Sequence, residues 1–222
     1  MEKRKLIYLS LLFIFGCSSL PDNVAGSWKY SFQAVKGAIF GYEDYPITRD
    51  FVNNIPYASM RLKIGKGAAG LLILEAKEGK INTWVSSDEI RIVEKNGEII
   101  RTIGLINNLT SIRSQDINLF NQINNKDIKE IKKYISLDNP EVFDLNLSIK
   151  IFNEGIEEIE ILDKKYSLIH FILEKENRYI RWKVKDHYWI DPQNGFVWKT
   201  IQHISPDSPP ILMEITKKPA LI

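Results

Sequence analysis

The stretch RIVEKNGEIIRTI, Arg91–Ile103, decides the fold. Two short runs rich in isoleucine and valine flank Asn96-Gly97, and both of those residues accept the positive φ that a type I′ turn demands. The segment therefore reads as a tight antiparallel hairpin. Working outward, the runs YASMRLKIG, AGLLILEAK and KINTWVSS precede it, separated by Gly67, Glu78-Gly79 and Ser87-Asp88. Further along come LNLSIKIF, IEEIEIL, YSLIHFILE, RYIRWKV, HYWID, FVWKTIQHI and ILMEITK. Short strands at regular spacing with glycine-containing turns predict a mainly β protein, a large antiparallel meander sheet curled into a barrel or half-barrel. There is no alternation of strand and helix of the kind that builds a doubly wound nucleotide-binding fold.

Two segments depart from that rhythm. From Val24, the apolar residues Trp28, Phe32, Val35 and Ile39 recur at steps of four or three before Gly41 and Pro46, which predicts one N-terminal amphipathic helix packed on the domain. Between Ile106 and Asn139 the composition shifts to Asn, Asp, Lys and Ile. There Ile117, Phe120, Ile123, Ile128, Ile131 and Ile135 follow mostly helical steps, so a loop or short helices are expected.

The first residues carry a sorting signal. Lys3, Arg4 and Lys5 precede the apolar run Leu6–Phe15, which is too short to span a bilayer but suits an export signal. The only cysteine, Cys17, follows Ile14-Phe15-Gly16, the pattern of a bacterial lipoprotein signal. The expected organisation is a signal peptide over 1–16, a lipidated N-terminus and short tether over 17–26, and a single β-rich domain over 27–222. Acyl chains on Cys17, such as palmitate, would give stable anchoring. Ser18 rather than an acid after Cys17 points to the outer membrane of a Gram-negative cell, on its periplasmic face.

The chain of 222 residues has a net charge of +2. Removal of Met1–Gly16 takes away three bases and one acid, leaving the mature chain formally neutral. Neutrality argues against nucleic acid as a partner, because that footprint needs a basic face. With a single cysteine no intramolecular disulfide can form, so the hydrophobic core must hold the domain.

Catalytic and metal signatures are weak. His170, His187 and His203 show neither HxH nor HExxH spacing, and no metal or cofactor is expected, although His187 and His203 could meet across a hairpin. There is no G-x-S-x-G, and Gly65–Gly70 suits a hairpin loop rather than a phosphate cradle. Glu157, Glu158 and Glu160 read as a solvated strand face rather than an acid pair for glycoside hydrolysis. Aromatic residues are the better recognition candidates. Trp182, Trp189 and Trp198 could stack on sugar rings while Asp191, Gln202 or Arg181 bond hydroxyls; the same tryptophans also suit core packing. In HYWIDPQNGFVWKTIQHISPDSPP, His187–Pro210, Gln193-Asn194-Gly195 is a turn between two returning strands.

Taken together, these segments resemble the YjbF/GfcB family of bacterial lipoproteins, associated with exopolysaccharide and group 4 capsule production. The resemblance is carried by Pro56–Met60 before a strand ending in Gly65, by Arg101-Thr102 with Gly104-Leu105, and above all by the C-terminal block. That block comprises Trp189, Asp191-Pro192, Gly195–Trp198, Gln202, Ile204, Pro206, Pro209-Pro210, Glu214 and Lys218-Pro219. The resemblance implies an outer-membrane lipoprotein working with companion proteins of a polysaccharide operon, a periplasmic β-grasp protein and an outer-membrane β-barrel, and implies no known reaction. The expected function is a non-catalytic accessory factor in exopolysaccharide or capsule secretion and assembly. The alternatives are a half-barrel lipid- or glycolipid-binding protein and a polysaccharide-modifying hydrolase. Trp189, Asp191, Trp198, Arg101 and Gln202 are the candidate contacts for glycan or a protein partner, with Cys17 the lipidation site.

Overall fold

A computed structural model describes residues 44, 46–114 and 129–220 of the chain. Cys17, the Trp28–Ile39 stripe and Ile117–Ile128 lie outside the described residues. Glu43–Ile222 forms one compact unit. It begins with a single helical turn and a half, α1 (Arg49–Asn54), which the strand-by-strand reading of the sequence had no place for. Thr48 caps it by accepting a hydrogen bond from the Phe51 N–H, and the helix gives way to extended backbone at Ile55, just before Pro56.

Twelve strands follow: β1 (Ser59–Ile64), β2 (Gly70–Glu78), β3 (Ile81–Val85), β4 (Arg91–Lys95), β5 (Glu98–Ile103), β6 (Leu109–Ser114), β7 (Lys129–Asp138), β8 (Glu141–Ile161), β9 (Lys164–Asn177), β10 (Trp182–Ile190), β11 (Val197–Gln202) and β12 (Ile211–Lys217). All pair antiparallel in one sheet, in the order β5-β4-β3-β2-β1-β12-β11-β10-β9-β8-β7-β6. The chain is thus a meander whose last strand, β12, pairs with its first, β1, bringing the two halves into one sheet. The sheet curls until its outer members β5 and β6 lie side by side, nearly closing a barrel.

The Arg91–Ile103 hairpin forms as its turn chemistry dictates, with φ of 52° at Asn96 and 82° at Gly97. The described parts of the middle segment depart from expectation. Leu109–Ser114 and Lys129–Asp138 are strands, not a loop or short helices. The step of four from Ile131 to Ile135 fits a helical face and a strand face equally well. What breaks the apparent alternation is Lys133, a lysine that points inward between them and is buried. The runs LNLSIKIF and IEEIEIL also merge into the single 21-residue β8, which bulges at Gly155, where φ is +90°.

The β4–β5 hairpin is folded inward so that its turn lies on β11. A Cβ at Gly97 would stand 2.6 Å from Val197, so only glycine fits both the φ and the contact. Gln202 at the end of β11 holds the hairpin there. Its Oε1 accepts from the Ile99 N–H and the Tyr188 hydroxyl, both at 3.0 Å, and its Nε2 donates to the Gly97 carbonyl at 2.7 Å and to Thr200 Oγ1 at 2.8 Å. All four hydrogen-bonding positions of a buried amide are therefore filled. Near the β5–β6 seam, Thr102 Oγ1 accepts from the Leu109 N–H at 2.9 Å and donates to Asn108 Oδ1. At another edge the Arg49 guanidinium donates to the carbonyls of Ile161, Leu162 and Thr216, tying α1 to β8 and β12.

The hairpin divides the interior. On one side lies a tight polar cluster among aliphatic side chains. Lys133 contacts Glu98, and Asp186 takes Lys175 Nζ at 2.5 Å and His203 Nδ1 at 3.0 Å. Burial, reinforced by the nearby Lys175 ammonium and opposed by Asp186, pushes the Lys133 ammonium down to about 7. Burial leads because Lys133 is almost wholly removed from water.

Two outcomes test this architecture. Replacement of Gln202 by Ala leaves the Ile99 N–H and the Gly97 carbonyl without their partner in the interior, and should destabilise the fold by about 3 kcal/mol in urea unfolding. A loss below about 0.5 kcal/mol would show that the hairpin holds its place without the amide. Lys133 binds fewer protons folded than unfolded between about 7 and the ordinary lysine value of about 10.4, so its contribution to stability rises with pH across that window. The stability of the wild type relative to Lys133→Met should accordingly increase on going from pH ~6.5 to pH ~9.5, and a flat difference would contradict the buried ammonium.

Candidate functional site

In an up-and-down meander all even-numbered strands run the same way, so the β2–β3, β4–β5 and β10–β11 turns and the tail after β12 gather at one end of the barrel. Between them opens a cavity of about 390 Å³. Its depth is apolar, with Met60, Trp84, Met213 and Ile215 from the inner faces of β1, β3 and β12. Its wall on the β10–β11 side is Phe196, Val197 and Trp198, and its rim carries Lys77, Lys80, Asn194 and Lys218.

The electrostatics of the cavity are lopsided. Among the described residues its lining holds one carboxyl, Glu94, and burial pushes that group upward despite hydrogen bonds from Asn82 Nδ2, Trp84 Nε1 and the Gly97 N–H. Lys218 stands over the rings of Phe196 and Trp198, with Nζ 4.2 and 4.5 Å from their centroids. Partial burial there pulls its ammonium below the ordinary lysine value. Trp198 is further packed against Tyr166, 4.3 Å between centroids, and meets Phe196 edge-on.

The five residues singled out as contacts are not brought together. Trp198 lines the cavity, but Trp189, nine positions earlier, lies on the opposite face of the sheet. There its indole stacks on His170 at 4.6 Å and 4°, lies under Lys199, and donates through Nε1 to Glu157 Oε2 at 2.9 Å. Asp191 closes the β10–β11 turn: its carboxylate accepts from the Gln193 N–H and Asn194 Nδ2, and its backbone bonds Phe196 and Gly195. Gln202 is the buried amide that holds the β4–β5 hairpin, and Arg101 is exposed on β5. Trp182 is in the core beneath Lys175. His187 does not meet His203. Its Nδ1 lies 2.9 Å from His170 Nε2, while His203 faces Asp186, because adjacent residues on β10 point to opposite sides of the sheet. Among the described residues no group of three or more metal-ligating side chains converges. Glu157, Glu158 and Glu160 are exposed, as their alternation suggested.

The cavity residues that the sequence reading missed are Met60, Trp84, Met213, Ile215 and Lys218. Period-two alternation marks the first four as inward-facing, but no local signal shows that their strands end around one opening. Two parts of the recognised pattern do meet in space: Gly65 packs under Pro209, with 2.6 Å between its would-be Cβ and that ring, and its N–H donates to the Pro210 carbonyl.

Comparison with known proteins agrees with this architecture. The chain is 23% identical over 107 residues to the uncharacterized lipoprotein GfcB of Escherichia coli K12, covering 48% of this chain and 47% of that protein. It is 26% identical over 102 residues to the uncharacterized lipoprotein YjbF of the same organism, covering 46% and 44%. The match thus spans about half the length of each of these relatives. The crystal structure of the hypothetical lipoprotein YmcC from Escherichia coli K12 superposes with a TM-score of 0.68 at 21% identity, covering 93% of this chain and 100% of that one, and so shares the fold. The family model described as group 4 capsule polysaccharide lipoprotein GfcB, YjbF matches residues 32–216, and on that span this chain belongs to the YjbF family.

Proposed function

We propose that the protein is a non-catalytic accessory factor in exopolysaccharide or capsule secretion and assembly, held at the periplasmic face of the outer membrane through acylated Cys17. The observation that carries this reading is the family match from residue 32 to residue 216, which includes every strand of the sheet up to the last position of β12 but one. The charged n-region, the Leu6–Phe15 run and Gly16-Cys17 support the tether. The formally neutral mature chain suits a partner recognised by shape and local contacts rather than by a long-range field. In this reading the partners are the companion proteins of a polysaccharide operon, a periplasmic β-grasp protein and an outer-membrane β-barrel, and the exposed residues, Arg101 among them, are available to such contacts.

Deletion of the gene should reduce surface polysaccharide, and the wild-type copy should restore it. Complementation with Cys17→Ala should fail or fall well short, because the domain is then no longer concentrated at the membrane. Unchanged polysaccharide in the deletion strain would overturn the proposed role. Full rescue by Cys17→Ala would leave the role intact and overturn only the tether.

A further inference from the structure

We propose that the cavity at the β2–β3, β4–β5 and β10–β11 end of the barrel is a binding site for a single-chain amphiphile with an anionic head group, a carboxylate or a phosphate. The site is independent of the secretion role: it stands on the geometry of the cavity alone. At about 390 Å³ it falls within the range of about 300–1,000 Å³ typical of ligand pockets. Phe196, Val197, Met213 and Ile215 give it an apolar wall, with Met60 and Trp84 closing the floor behind them, and unbranched, polarisable methionine side chains adapt to a flexible hydrocarbon chain. The rim is cationic. Lys77 and Lys80 stand at the β2–β3 turn and Lys218 follows β12, while the single lining carboxyl, Glu94, is buried and engaged by Asn82, Trp84 and Gly97.

Two observations favour an amphiphile over a saccharide. A sugar ring needs an open aromatic face, and Trp198 has none to spare, with Tyr166 packed against it and Lys218 Nζ over its ring, while Trp84 is wholly buried. Lys218, for its part, rests on the Phe196 and Trp198 rings; among the described residues Asp191 acts on it only from beyond ion-pair distance, so an anionic head at the rim would be its direct charge partner. A chain lying along Val197, Met213 and Ile215 with its head at Lys218 and Lys80 satisfies both ends of the cavity.

The test is photo-crosslinking of the full-length protein in membranes with a diazirine-bearing palmitate and with the alcohol of the same chain, followed by peptide mapping. The acid should label peptides containing Trp84, Phe196–Trp198 or Met213–Lys218 in preference to the alcohol. Unlabelled palmitate or lysophosphatidate should compete, and the stronger competitor identifies the head group as carboxylate or phosphate. Lys218→Glu should lower acid labelling of these peptides by about threefold, the scale of reversing one charge at a solvent-screened rim, without lowering labelling by the alcohol. Lys80→Glu, on the exposed rim, provides the same comparison if Lys218→Glu does not fold, and Met213→Trp should block both probes by filling the cavity. Equal labelling by acid and alcohol, adducts confined to the outer surface, or competition by an acidic oligosaccharide in place of the lipids would each overturn the assignment.

Discussion

The hydrogen bonds of one buried amide, Gln202, organise the inside of this protein. A meander of twelve strands curled almost into a barrel has more interior than its side chains fill when its strands simply line the wall. Here the β4–β5 hairpin turns inward, and Gln202 receives it by matching one backbone donor and one backbone acceptor of the hairpin, with Tyr188 and Thr200 completing the set. An amide in that position is favourable only when every position is satisfied, because each unmatched group in a low-dielectric interior costs more than a matched one contributes. The contact of Gly97 with Val197 reinforces the fit through shape, and that contact tolerates no side chain.

The two compartments that result are chemically unlike. One is filled by Lys133, Lys175, Asp186, Glu98 and His203 among aliphatic residues, a network in which each charge has a partner and little space remains. The other is left open, apolar within and cationic at its rim. Buried charge networks are expensive in desolvation and weak evidence for stability. Their value here is directional: they tie β5, β7, β9 and β10 together on the closed side, so that the open space is confined to the end where the β10–β11 turn and the C-terminal tail meet.

Most of the strand order and the family could be read from the residues, and the reasons are local. Asn96-Gly97 encodes its turn outright, and Asp191 to Gly195 encodes another through side-chain-to-backbone bonds within five residues. The family signature was legible because its pieces, such as Gly65 and Pro209-Pro210, are held in order by packing that spans the whole chain. The end of the middle segment, Lys129–Asp138, was misread because a spacing of four residues serves both periods, and a buried lysine disguised the inner face of β7. The site was only partly legible. Trp189, Asp191, Trp198 and Gln202 are close in sequence, yet they fall on an outer face, in a turn, in a cavity wall and in the core. Alternation separates neighbours along a strand, whereas the cavity is assembled from strands about 150 residues apart.

The account depends on the β4–β5 hairpin being held against β11 from within, and the amide hydrogen of Ile99 reports this directly. β5 lies at the end of the strand order, and the partner of the Ile99 N–H is the Gln202 side chain, not a neighbouring strand. In native-state hydrogen exchange its amide should be as slow as those of the central β1–β12 ladder. Exchange at the rate of an exposed edge strand would mean that the hairpin swings free of β11, and that the divided interior described here does not persist in solution.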